Sequence, residues 1–256
     1  MPTAAHVAPG MEPVAEAFER MLADGREPGG EVAVFRDGEP LLITRGGTMD
    51  ASGRPWQPDT LVQVFSTGKA IAAAAALAAV ADGTLRLDDP LTDHWPEYRD
   101  DPAQPTTLRR LLSHRAGKFA FPDETADEHP FDQQALIASL AAAVPEFPEG
   151  LGSVEHATTY GHLINGVLHS VGAPSVARTA TELGELVGAT FYFGVPDAEQ
   201  DRVADLELID AGWVDPYLGS DAAKRALTRP RDVLDPAALN RPEWRSTGFP
   251  AVGLHT

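Results

Sequence analysis

The sequence predicts an α+β protein: a helical domain over about residues 70–185, against a partial antiparallel sheet seeded near the N-terminus. Three observations carry that expectation. Asp37-Gly38 separates two apolar runs, as in a tight β-hairpin. An alanine-dense run from Ala70 to Val80 and two later segments repeat apolar residues at helical spacing. Beyond the hairpin, little of the chain offers further strands, so helix outweighs sheet.

Taken in order, residues 1–10 read as a frayed terminus. Met11 to Ala23 places Met11, Val14, Ala17, Phe18, Met21 and Leu22 at the spacing of an amphipathic helix. Gly29-Gly30 breaks that helix. The strands Glu31 to Arg36 and Leu41 to Thr44 then flank Asp37-Gly38, where Gly supplies positive φ for the turn. Residues 46–59 are loop, rich in Gly, Asp, Ser and Pro. Leu61 to Phe65 is short and apolar, as in a strand. Ala70 to Val80 has strong helix propensity and apolar side chains on every face, which implies burial all round; Gly83 ends it.

Asp88 to Pro96 reads as a surface connection. Thr107 to Leu112 is a short helix that Thr106 or Thr107 could cap, and Gly117 closes the following turn. Phe119 to Pro130 is an acidic loop and Phe131 to Ala143 a helix. Pro145 to Gly152 is a breaker-rich loop. Thr158 to Val171 is a further helix, ended by Gly172, and Thr190 to Phe193 is a short strand. From Asp197 onward the periodicity fades, and residues 215–256 come closest to disorder. A lone hairpin is marginal unless helices or more strands cover it, so the chain reads as one domain lacking part of its sheet.

Composition removes several functions. With 38 acidic residues against 20 Lys and Arg, the net charge of −18 repels phosphate backbones and anionic lipid, so neither nucleic acid nor a membrane surface is an expected partner. The absence of cysteine excludes disulfides, thiolate zinc sites and thiol catalysis. No run reaches the roughly 18 apolar residues of a membrane span. Met1 to Pro9 has neither the basic start nor the apolar stretch of a secretory signal, which makes the cytoplasm the expected location. No H-E-x-x-H, G-x-S-x-G, G-x-x-x-x-G-K-[ST] or G-x-G-x-x-G pattern occurs, so no metal or cofactor is expected.

The chemistry concentrates at Ser66-Thr67-Gly68-Lys69. At a helix start, residues three apart share a face, so the Ser66 hydroxyl and the Lys69 amine can meet. A serine hydroxyl needs an adjacent base to become a nucleophile, and a lysine amine is such a base only when burial lowers its pKa. The bland alternative is that Ser66 caps the helix and Lys69 is exposed in its first turn. His114, in Leu111-Leu112-Ser113-His114, reads as a turn histidine bonded to backbone. Trp56, Trp95 and Tyr98 suit either a cleft or the core, while Arg109-Arg110 and Lys224-Arg225 read as solvated clusters.

Asp59-Thr60 leading to Phe65-Ser66-x-x-Lys69, the helix ending Asp82-Gly83-x-Leu85-x-Leu87-Asp88-Asp89-Pro90, Trp95-Pro96-x-Tyr98 and Leu111-Leu112-Ser113-His114-x-Ala116-Gly117 together resemble one family. It is the serine hydrolase family of class C β-lactamases, DD-peptidase penicillin-binding proteins and related cytoplasmic esterases, and the likeness covers roughly residues 10–250. The resemblance implies a β-lactamase/DD-peptidase-like fold and a small ester or amide substrate. It implies that Ser66 attacks the carbonyl to form an acyl-enzyme, that Lys69 takes its proton, and that the Ser66 N–H forms half of an oxyanion hole. The family's second motif begins with a tyrosine; aligning His156-Ala157-Thr158-Thr159-Tyr160-Gly161 puts Glu155 there, with Tyr160 the alternative five residues on. The third motif, a Lys- or His-started triplet with Gly on an inner strand, is matched only by the terminal His255-Thr256, which suggests a C-terminally truncated member. The functional expectation is a serine esterase. The alternative is an inactive remnant or a pseudoenzyme that binds acyl ligands.

Overall fold

A computed structural model describes residues 3–122, 124–147, 150, 152–208, 210, 212–250 and 252–256. They form two compact units: the chain up to Val62 with Glu199–Asp210, and Gln63–Ala198 with the chain beyond residue 210. Among the described residues no helix is long and apolar enough to cross a membrane.

The first unit contains β1 (Thr3–Val7), α1 (Glu12–Ala23), β2 (Gly29–Arg36) and β3 (Glu39–Gly47). The sheet order is β1-β3-β2, and both pairings are antiparallel. Asp37 and Gly38 both have positive φ, at 54° and 84°, so the hairpin turn is made as the Asp-Gly pair predicts. The register sets Val32 against Thr44 and Val34 against Leu42. On β3 every second residue is buried, with Leu42 at 0% and Thr44 at 1% exposure, and α1 supplies Ala15 and Phe18 as its buried residues.

Two expectations fail here. Thr3–Val7 is not frayed: as β1 it pairs with the outer edge of β3, because that edge carries N–H and C=O groups that need partners. Gly29-Gly30 does not merely break the helix but begins β2. A Cβ at Gly29 would lie 2.2 Å from the Thr48 carbonyl oxygen, so the close backbone approach there requires glycine.

The second unit carries the remaining helices. In chain order they are α2 (Gly68–Ala81), α3 (Leu108–Leu112), α4 (Thr125–Glu128), α5 (Gln133–Ala142), α6 (Tyr160–Ser170), α7 (Val176–Val187), α8 (Asp221–Leu227), α9 (Pro236–Leu239) and α10 (Pro242–Ser246). A short antiparallel pair joins β4 (Tyr192–Phe193) to β5 (Leu254–His255). The helix starts follow local chemistry: Thr107, Asp132 and Ser175 each accept a backbone N–H at the heads of α3, α5 and α7. Helix α6 is central, packed against α2, α3, α5 and α7, with Leu163, Ile164, Val167 and Leu168 fully buried. Gly166 lets Trp95 lie on α6, since a Cβ there would fall 2.1 Å from the indole. Trp95 and Tyr98 are therefore core residues, their ring centres 5.3 Å apart and their planes tilted by 45°.

The structure corrects four further readings. Helix α2 buries Ala72, Ala75, Ala76 and Ala79, but Ala70, Leu77, Ala78 and Ala81 face solvent. Small side chains allow close packing on one face, and alanine's helix propensity does not require burial on the other. Leu61–Phe65 is not a strand; it has isolated bridges at Leu61 and Gln63, then enters a 3-10 turn at Phe65–Thr67. The acidic stretch 119–130 contains α4 and buries Phe119, Phe121 and Ala126; position 123 lies outside the described residues, as do 148, 149 and 151 of the expected 145–152 loop. Among its described residues the final stretch is ordered: α8–α10 and β5 bury Ala226, Leu239, Trp244 and Leu254. Elements of two to seven residues are too short to reveal a period. Arg109 and Arg225 of the charge clusters stay solvent-exposed, as expected, and pair there with Asp88 and Glu146, each through two hydrogen bonds.

One buried cation had no signal in the sequence. Lys118 is 2% exposed; its Nζ donates to the Leu140 and Ala141 carbonyls at 2.9 Å and sits 3.6 Å from the centre of the Tyr98 ring. It caps the C-terminus of α5, and burial lowers its pKa to about 7.

Candidate active site

Ser66 stands in the 3-10 turn Phe65–Thr67, through which a non-helical lead-in passes to α2. The lead-in is held from outside its own sequence: the Val64 N–H donates to the Leu254 carbonyl at 2.9 Å, and Gln63 Nε2 donates to the Val252 carbonyl at 3.0 Å. Phe65 then takes φ +44°, a left-handed conformation that costs a residue with a bulky side chain about 1–2 kcal/mol. Strain immediately before an exposed hydroxyl is a common feature of built sites. It leaves the Ser66 side chain open to solvent at the head of α2.

One turn on, Lys69 Nζ donates to Ser66 Oγ at 2.8 Å. The Lys69 side chain is only 12% exposed and forms an ion pair with Glu155 Oε1 at 3.6 Å, while Glu155 itself is 62% exposed. Burial drives the Lys69 pKa below the ordinary lysine value, and the Glu155 charge opposes that shift without cancelling it. An amine so placed is closer to its free-base form than a surface lysine, which is what a base for Ser66 requires.

Glu155 reaches Lys69 from the segment before α6. The His156 N–H donates to His114 Nδ1 at 3.1 Å, and His156 Nδ1 lies 2.8 Å from the Val154 carbonyl oxygen, to which it donates. His114 therefore bonds to backbone, as expected of a turn histidine, and it adopts φ +59°. Burial lowers the pKa of His114, and lowers that of His156 to about 4, so both rings favour the neutral form.

Tyr160 is not brought to the pair in the same way. Its hydroxyl donates to the Leu112 carbonyl at 3.3 Å, its ring is 3% exposed, and it packs against His114 at 4.8 Å. Of the residues singled out in the sequence, the structure thus joins Ser66, Lys69 and Glu155 in one chain of polar contacts. His255 lies on β5 opposite Tyr192 and bridges Gln63; its buried ring has Nδ1 3.1 Å from the Gly253 carbonyl oxygen. Among the described residues no three His, Asp or Glu side chains are grouped to hold a metal ion. The strained Phe65 and the His114–His156 bond left no mark in the sequence pattern, since both depend on contacts between distant segments.

Comparison with known proteins gives a consistent picture. The family model described as Beta-lactamase matches residues 14–256. The esterase/beta-lactamase LipL of Mycobacterium tuberculosis is 30% identical over 197 residues, which cover 75% of this chain and 46% of that protein. The matched part of this chain therefore spans less than half the length of that relative. Among solved structures, a family VIII carboxylesterase superposes with a TM-score of 0.83 at 28% identity, over 100% of this chain and 68% of the other. A penicillin-binding protein homologue from Caulobacter crescentus gives 0.80 at 34% identity, over 99% and 68%. The α+β architecture is accordingly that of the β-lactamase/DD-peptidase fold.

Proposed function

The chain belongs to the β-lactamase family, and from that premise we propose that it is a serine hydrolase of small esters, acting through an acyl-enzyme on Ser66. The observation that carries this reading is the 2.8 Å contact between Ser66 Oγ and the largely buried Lys69 amine. With Lys69 as the free base, Ser66 Oγ attacks the ester carbonyl and its proton passes to Lys69 Nζ. The negative oxygen that forms is met by the Ser66 N–H at the head of α2. Lys69 returns the proton to the departing alcohol, leaving the acyl group on Ser66. Water then attacks the acyl carbonyl, gives its proton to Lys69 and releases the acid; Ser66 recovers its proton from Lys69.

Glu155 stands in this scheme where the family has a tyrosine. It cannot donate as a phenol does, but it pairs with the ammonium that Lys69 becomes during attack, so its interaction strengthens as charge develops. Tyr160, with its hydroxyl committed to Leu112, is a packing residue in this reading.

A second reading has one observation in its favour. The Glu155 pairing also stabilises Lys69 in its protonated form, which cannot accept the Ser66 proton. If that effect dominates, the chain binds acyl ligands without turning them over. The two readings separate in one experiment: treatment with a fluorophosphonate, followed by intact mass, alongside hydrolysis of p-nitrophenyl acetate, for wild type and Ser66→Ala. The hydrolase reading expects one adduct and ester turnover in the wild type and neither in the variant. A cooperatively folded wild type with no adduct and no turnover overturns it.

A further inference from the structure

Resting on the hydrolase reading, we propose that Glu155 selects substrates by charge: it favours esters that are cationic or neutral near the scissile carbonyl and disfavours those bearing a carboxylate there. Glu155 Oε1 lies 3.6 Å from Lys69 Nζ, which lies 2.8 Å from Ser66 Oγ; end to end, these place the carboxylate oxygen within 6.4 Å of the nucleophile. That is less than the roughly 8–10 Å over which salt screens charges at ordinary ionic strength.

The protonation state needed for attack sharpens the effect. While Lys69 is an ammonium, the pair is neutral overall. Once Lys69 is the free base that Ser66 needs, the Glu155 charge is left unbalanced beside the reacting carbonyl. The neighbouring imidazoles do not offset it, because burial disfavours the charged forms of both His114 and His156. Glu146, which lines a small cleft with His114 and His156, is paired with Arg225. Glu155 is 62% exposed, so its charge is open to solvent rather than enclosed in the protein interior. A net charge of −18 adds a long-range bias of the same sign. An acyl group ending in an ammonium gains from this field and one ending in a carboxylate loses. Benzylpenicillin, which carries a carboxylate, falls in the disfavoured class.

The test uses p-nitrophenyl esters of three acyl chains of similar length, ending in trimethylammonium, methyl or carboxylate. Their kcat/KM values are normalised to hydroxide-catalysed hydrolysis and measured at low and high salt. The expected order is trimethylammonium, then methyl, then carboxylate, with roughly tenfold between the extremes at low salt. High salt should compress that contrast, and Glu155→Gln should compress it further whatever its absolute rate. Should Glu155→Gln turn over too little ester to rank, the rates at which Ser66 is labelled by fluorophosphonates ending in trimethylammonium and in carboxylate decide: the wild type should favour the cationic probe and Glu155→Gln should lose most of that preference. Turnover with no charge order, or an order that persists in Glu155→Gln and at high salt, overturns the charge selection and leaves the hydrolase reading standing. No turnover of any ester, with no fluorophosphonate adduct on Ser66, overturns both.

Discussion

The backbone N–H of His156 donates to Nδ1 of His114 across 42 residues of sequence, at 3.1 Å. This bond fixes the main chain next to Glu155, whose carboxylate meets Lys69 at 3.6 Å. It ties the turn after α3 to the segment that enters α6 and carries Glu155.

The bond can be tested apart from the backbone conformation of His114. At φ +59°, both Asn and Gly relieve the strain, but only Asn offers an acceptor near the position of Nδ1. His114→Asn is expected to keep kcat/KM for p-nitrophenyl acetate within about threefold, whereas His114→Gly should lose roughly tenfold and about 1 kcal/mol of stability. Hydrogen exchange of the His156 amide should be fast in the glycine variant and slow in the other two proteins. Equal exchange in all three would show that the bond holds nothing in place.

The pH dependence of ester hydrolysis should report Lys69. In the proposed hydrolase the free base is the active form, so kcat/KM should rise with pH through the Lys69 pKa, which burial sets below the ordinary value of 10.5. Glu155 raises that pKa. Its removal in Glu155→Gln should move the rising limb to lower pH. A limb that stays in place or moves upward would separate Glu155 from the titration of Lys69.

Tyr160→Phe distinguishes a packing tyrosine from a proton-transfer one. Loss of the bond to Leu112 should cost about 1 kcal/mol in urea unfolding, while ester turnover stays within about threefold of wild type. A hundredfold fall in kcat with intact folding would restore Tyr160 to the catalytic machinery.

Lys118 should leave a signature in stability. Its pKa is about 7 in the folded state against an ordinary 10.5, so between those values the unfolded chain binds the extra proton. Unfolding free energy should therefore increase as pH rises from about 7 towards 10, as the buried amine sheds its charge. Below pH 7 both states carry the proton, and the cost of burying the charge is present in full. Lys118→Met removes this dependence, and urea unfolding of both proteins at several pH values measures the difference. A wild-type slope that matches the variant's would mean that Lys118 titrates normally.

Much of this protein follows from local chemistry that its sequence displays. Asp37-Gly38 dictates a hairpin turn because few residue pairs accept two positive φ angles. Thr107 and Asp132 start helices because their side chains reach unpaired N–H groups. The spacing of Ser66 and Lys69 across one turn puts hydroxyl and amine on the same face, and the structure has them in contact. Tertiary packing decided what depended on distant partners. β1 became a strand because the edge of β3 lacked one, and the last stretch of chain took its short helices and β5 from the surfaces it buries. The chemical setting of the site is of this second kind. Proximity of a serine and a lysine along a helix is a matter of a few bonds. The depressed pKa of Lys69 requires desolvation by the folded chain, and its partner Glu155 is brought from 86 residues away by a histidine that bonds the neighbouring amide. Burial and long-range contact are properties of the packed molecule, and no local spacing encodes them.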